Sequence, residues 1–168
     1  MFDKFGEFDS CEEINRAAEA QLKEGDIEAL KELAIENGFD PMDAEDYFCG
    51  ALDPFCGIKD TALGKLKIEK EEMKLEREFI LLEEELEKEC MTDSAMAAGV
   101  RKKGKRLAEY LAMIIDKGYQ DAITPPQAIL DKVTAVPSQY RSQMKTGMPD
   151  KATRKEIMKE YYCGEVTG

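Results

Sequence analysis

The stretch Val100 to Gly118, VRKKGKRLAEYLAMIIDKG, constrains the fold more than any other part of the chain. Leu107, Tyr110, Leu111, Ile114 and Ile115 recur at the spacing that lines one face of an α-helix, so the segment predicts a helix buried along one side. Gly118 stands where a helix C-terminus takes a left-handed residue, which places the expected end of that helix. Its start is crowded with Arg101, Lys102, Lys103, Lys105 and Arg106, five cations within six positions. Cations at a helix N-terminus oppose the helix dipole, so stability of this helix alone does not place them there.

The same stretch marks a reversal of charge. Residues 1–60 hold 17 acidic and 5 basic groups, residues 61–100 hold 11 and 6, and residues 101–168 hold 8 and 13. The net charge of −12 argues against the whole surface lying on nucleic acid, and the asymmetry predicts an electrically polarised molecule.

Taken in order, the chain reads as a series of capped helices. Ser10 with Glu13 has capping-box spacing and opens a helix to about Glu24, with Cys11, Ile14, Ala18 and Leu22 inward. Asp26 caps a second, Ile27 to about Asn37, and Asp40-Pro41 starts a third, to about Cys49. A second Asp-Pro pair, Asp53-Pro54, predicts a fourth through Phe55, Ile58, Ala62, Leu63 and Leu66, where Gly57 and Gly64 weaken the helix or permit close packing. From about Glu69 to Cys90 no Gly or Pro interrupts a run of good helix formers, which predicts one long helix. Its stripe of Leu75, Phe79, Leu82 and Leu86 suits a bundle interior or a homodimer seam. A small Ala-rich helix follows from Ser94 to about Lys103, then the opening helix. Beyond Gly118, short helices are expected after Thr124-Pro125-Pro126, after Ser138, and from Lys151 to about Tyr162. No alternating strand pattern, hairpin dipeptide or repeat occurs. The expectation is an all-α fold, a compact multi-helix bundle of short helices around one longer central helical hairpin. It forms either one body over residues 1–168 or two sublobes, an acidic one at 1–67 and a hairpin with basic helices at 68–168.

The chain has no histidine, which removes the commonest general base and the usual partner of a nucleophilic Ser or Cys. Neither a phosphate-binding loop nor a dinucleotide fingerprint is present. Asp40, Asp43, Glu45 and Asp46 are the densest acidic cluster, yet lack the spacing and glycine of a calcium loop. The helix-turn-helix outline over Ile27 to Cys49 carries acids where a DNA reader carries cations. No catalytic residue, metal or cofactor is expected. Cys11, Cys49, Cys56, Cys90 and Cys163 are widely spaced with no C-x-x-C pair, which fits a reducing compartment and small buried hydrophobes, with Cys163 the accessible one. The N-terminus carries no basic, apolar leader and no stretch approaches a membrane span, so a cytoplasmic protein is expected.

Two surfaces remain for binding. The acidic one comprises Asp40, Asp43, Glu45, Asp46, Glu83, Glu84 and Glu87. The alternative is Arg101, Lys102, Lys103, Lys105 and Arg106 facing nucleic acid together with Arg141, Lys145, Arg154, Lys155 and Lys159; these cations can instead pair internally with the Glu83 to Glu87 run.

The segments DKFGEFDSCEEINRAAEAQLKEGD, NGFDPMDAEDY and VRKKGKRLAEYL resemble small acidic helical proteins carried on conjugative elements and phages of anaerobic Gram-positive bacteria. Neighbours of such proteins include inhibitors of host defence, anti-CRISPR proteins among them. The resemblance implies a protein that works by occupying a partner's surface, and it assigns no individual residue a role; the charge asymmetry and the missing catalytic groups make the expected partner a nucleic-acid-handling protein with a basic surface, and the chain itself a non-enzyme.

Overall fold

The computed structural model describes residues 4–164, and these form an all-α, multi-helix bundle with one isolated antiparallel bridge between Ile123 and Thr146. The first three residues and the tail after Gly164, on which the leader and accessible-tail expectations partly rested, lie outside the described residues. The helices are α1 (Cys11–Glu24), α2 (Ile27–Glu36), α3 (Pro41–Phe48), α4 (Ile58–Met73) and α5 (Glu78–Thr92). They continue as α6 (Ser94–Arg101), α7 (Leu107–Gln120), α8 (Gln127–Leu130), α9 (Ser138–Arg141) and α10 (Lys151–Met158), which a π-helical turn, Lys159–Cys163, extends. Among the described residues no helix is long and apolar enough to cross a membrane.

The predicted caps are in place. Ser10 Oγ accepts from the Glu13 N–H at 3.3 Å while Glu13 reaches back to the Asp9 N–H at 2.7 Å. Asp26 Oδ1 accepts from the Ala29 N–H at 2.9 Å. Asp40 and Asp43 close a reciprocal box on α3, through the Met42 N–H at 2.9 Å and the Asp40 N–H at 3.2 Å.

Local signals fail at four places, and at the first three tertiary packing outweighs them. Asp53-Pro54 starts no helix; α4 begins at Ile58, and the intervening chain instead turns Phe55 into the core, edge-to-face against Tyr47 and Phe39 at 5.3 and 5.9 Å. The expected helix from 69 to 90 is two helices, because α4 ends at Met73 and the chain reverses through Lys74 and Arg77, both at φ 52°. Left-handed backbone costs a non-glycine residue roughly 1 kcal/mol, and the reversal offsets this by bringing Leu66, Leu82 and Leu86 into one core. Gly118 does not end α7. It lies inside the helix, where an added Cβ would stand 2.8 Å from the Gly147 carbonyl oxygen, so its use is close approach of the returning chain. Beyond it, α8 stops at Leu130, before Val133, and α9 is likewise a single turn.

Two apolar clusters result. One gathers Cys11, Ile14, Ala18, Leu30, Leu33, Ala34, Ala44, Tyr47, Phe55 and Cys56 from α1 to α3 and the segment before α4. The other gathers α4 to α7 with α10, including Leu66, Leu82, Leu86, Val100, Leu107, Tyr110, Leu111, Ile114 and Tyr162. Ile58, at the start of α4, packs against both. The stripe Leu75, Phe79, Leu82 and Leu86 is spent inside the second cluster. The two clusters are also stitched by backbone contact: an added Cβ on Gly64 of α4 would lie 2.1 Å from the Asn37 carbonyl oxygen at the end of α2.

Candidate interaction site

The basic run at 101–106 is built into the joint between the two clusters. Arg101 ends α6, where a cation suits the helix dipole, and it is 1% exposed. Its Nη2 donates to Asn37 Oδ1 at 2.9 Å. The carbonyl of Lys102 accepts from the buried Lys65 Nζ at 2.8 Å, and Lys65 lies 3.2 Å from Glu7. Glu7 also grips Arg106 through two bonds of 2.9 and 2.8 Å and accepts from the Gly104 N–H at 3.3 Å. Glu69 of α4 accepts from the Leu107 N–H at 2.7 Å and from Arg106 at 3.3 Å, so a buried carboxylate caps the N-terminus of α7. That anion answers the dipole problem posed by the sequence. Lys105 donates to the Tyr161 carbonyl at 2.8 Å and lies 4.5 Å from its ring centroid.

This seam explains its own ionisation. Glu7 is buried, which alone would raise its carboxyl, but Lys65 and Arg106 together hold it below the usual range. Burial lowers Lys65 and Arg101 from their ordinary values against the pull of Glu7 and Glu69. The ion pairs of the basic run lead to Glu7 and Glu69 instead of the Glu83 to Glu87 run. Glu85 is bound by Arg154 at 2.6 and 2.8 Å, Glu89 by Lys155 at 2.9 Å, and Arg141 donates to the Val136 carbonyl at 2.9 Å. Of the five cations singled out, Lys102 and Lys103 have exposed side chains.

The acidic residues divide differently. Asp40, Asp43 and Glu87 line one open groove of 1040 Å³, formed by the turn into α3, residues 52–57, α4 and the end of α5. Its apolar lining includes Phe39, Leu52, Phe55, Leu63 and Met91, and its charged lining adds Asp53 and Asp60 to the acids, with Lys67, Lys70 and Lys88. Glu45 turns away to Lys31 at 2.9 Å, Asp46 is exposed on α3, and Glu84 lies 3.8 Å from Lys88. Glu83 is fully buried behind the groove, 2.6 Å from Lys70 Nζ. Neither Asp53 nor Asp60 is among the acids the sequence singles out for binding, since Asp53 stands there only as an expected helix start; in the structure Asp60 accepts from the Gly57 N–H at 2.9 Å.

Burial raises the Glu83 carboxyl to about 7, with Glu87 adding to the rise and Lys70 opposing it. Burial raises Glu69 as well. A carboxyl whose pKa is higher in the folded state than in the unfolded one favours folding at low pH, and that contribution is lost as pH rises through the folded value. Folding stability is therefore expected to fall from pH 5.5 to pH 8 by roughly 1–2 kcal/mol. Glu83→Gln removes roughly half of that slope or more. Urea midpoints across this range are the check, and an unchanged slope in the variant would refute the assignment.

Among the described residues no group of His, Cys, Asp and Glu is arranged to hold a metal ion. Cys49, not Cys163, is the exposed cysteine, and Cys163 is half-buried against the second cluster. Comparison with family models, with curated proteins and with solved structures gives no match.

Proposed function

We propose that this chain is a non-enzymatic interaction protein that occupies a basic, nucleic-acid-binding surface of a partner protein through its acidic face. The observation that carries the reading is the unequal fate of the two charges. Arg101, Lys105, Arg106, Arg154 and Lys155 are engaged in internal bonds, whereas the open groove with apolar lining is bordered by five carboxylates, Asp40, Asp43, Asp53, Asp60 and Glu87, against three cations, Lys67, Lys70 and Lys88, and so carries an excess of negative charge. Carboxylates fixed on helix starts and turns present a cationic partner with charges it would otherwise meet on phosphates, and apolar contacts beside them add affinity that salt does not screen. In the setting the resemblance implies, a mobile element's anti-CRISPR-type inhibitor, the occupied surface is the one that otherwise holds guide or target strands.

The experiment is target-DNA cleavage by purified CRISPR effectors with the protein added in increasing amounts. Inhibition at near-stoichiometric ratios, weakening at high salt, is the expected result. Full cleavage by every effector tested sinks this reading, and retardation of free DNA by the protein alone would replace it with a nucleic-acid-binding module using Lys102 and Lys103.

A further inference from the structure

Two of the five cysteines meet across the first cluster in a way that the binding reading does not use. Cys11 is the first residue of α1, and Cys56 lies just before α4 on the segment that lines the groove. Both are buried, with Sγ atoms 3.9 Å apart, about 2 Å longer than a disulfide bond. Cys11 Sγ also donates to the Cys56 carbonyl at 3.2 Å. Asn15, one turn along α1, clamps the Cys56 backbone at two points. Its Oδ1 accepts from the Cys56 N–H at 3.0 Å and its Nδ2 donates to the Cys56 carbonyl at 2.9 Å. The side-chain amide therefore registers the groove segment against α1 so that the two sulfurs face each other.

We propose that Cys11 and Cys56 form a redox modification site, closing a reversible intramolecular disulfide that ties α1 to the groove wall. The oxidant is a low-molecular-weight disulfide such as oxidised glutathione. One cysteine thiolate attacks a glutathione sulfur, breaking that S–S bond, releasing one glutathione thiolate and leaving a mixed disulfide. The second cysteine gives up its proton and attacks the protein sulfur of the mixed disulfide, expelling the second glutathione thiolate. Two protein S–H bonds are lost and one protein S–S bond forms, while the glutathione disulfide takes the two electrons and the two protons and leaves as two thiols. Burial raises both thiols above their ordinary ionisation, so the first attack waits on local opening of residues 51–57, which form no regular helix. The reaction is slow at neutral pH and faster at pH 8 and above.

The bond joins positions 45 apart and fixes the wall that carries Leu52, Asp53 and Phe55, so it holds the groove in one shape. The cross-link itself does not depend on what the groove binds.

The test uses the full chain with Cys49→Ser, which removes the exposed thiol, reduced and then incubated with oxidised glutathione at pH 8 without denaturant. The expected product is about 2 Da lighter, carries a peptide linkage between positions 11 and 56, and melts roughly 5 °C or more higher until dithiothreitol reverses it. Cys11→Ser or Cys56→Ser abolishes both the mass loss and the shift in melting temperature. Glutathione adducts without a linkage, a linkage between Cys90 and Cys163 alone, or an 11–56 linkage that forms only in denaturant each overturn the proposal.

Discussion

Arg101→Ala is expected to destabilise the fold by about 3–5 kcal/mol, whereas Lys103→Ala, two residues away, changes it by less than about 0.5 kcal/mol. The sequence presents the two as equivalent members of one basic run. In the structure Arg101 is 1% exposed, bonded to the fully buried Asn37, and placed in the field of Glu7 and Glu69. Truncation strips the buried Asn37 oxygen of its donor, removes a cation that Glu7 and Glu69 were compensating, and opens space between the clusters. Lys103 extends into solvent, and its backbone bond to Asp9 survives any side chain that keeps the turn. Thermal melts separate the two: a loss of about 10 °C or more for the arginine variant against almost none for the lysine variant. Equal melting temperatures would mean that the seam does not hold the clusters together.

Gly64→Ala is the second large effect, and its sign is a contest. Alanine in a helix interior is better than glycine by roughly 1 kcal/mol through backbone entropy, so propensity alone predicts stabilisation. The added Cβ, however, would stand 2.1 Å from the Asn37 carbonyl oxygen, and that atom belongs to the end of α2 and has no rotamer to escape into. The helices must part, which also strains the Asn37 bonds to Leu33 and Arg101. Overpacking against backbone costs about 3 kcal/mol or more and decides the outcome. A urea midpoint at or above that of the parent protein would show that α2 and α4 do not meet at this distance.

These two positions mark the border of what the sequence reveals. Helix starts were legible wherever a short polar side chain stands before an apolar period, as at Ser10, Asp26 and Asp40, because capping is settled within four residues. The all-α class and the inward faces of α1 and α2 followed from periodicity in the same way, and on α7 Leu107, Tyr110, Leu111 and Ile114 are buried as the spacing predicts while Ile115, at the edge of that stripe, is 52% exposed. The break at Lys74 to Arg77 was not legible, since no residue there favours a turn and the cause is a core formed by residues distant in the chain. The same holds for the candidate site. Asp40, Asp43 and Glu87 were singled out as acids, but nothing local says that they border one groove or that Glu83, one turn from Glu87, is buried. The meaning of the 101–106 run depended on Glu7 and Glu69, 99 and 37 positions away from Arg106. Charge counts detect polarity of a chain and cannot tell a paired cation from a free one.

An order-of-addition form of the cleavage experiment tests most directly whether the acidic face is the surface that meets the partner. An effector is mixed with the protein before or after its nucleic acid, and the charge-reversal variant Asp46→Lys with Asp53→Lys is run in parallel. Asp46 and Asp53 are exposed, and their carboxylates cap no helix, so the variant keeps the fold. Inhibition is expected when the protein is added first, little when the nucleic acid is already bound, and at least a tenfold loss of potency in the variant at physiological salt. Inhibition that is independent of order and unchanged by reversing these charges would contradict it.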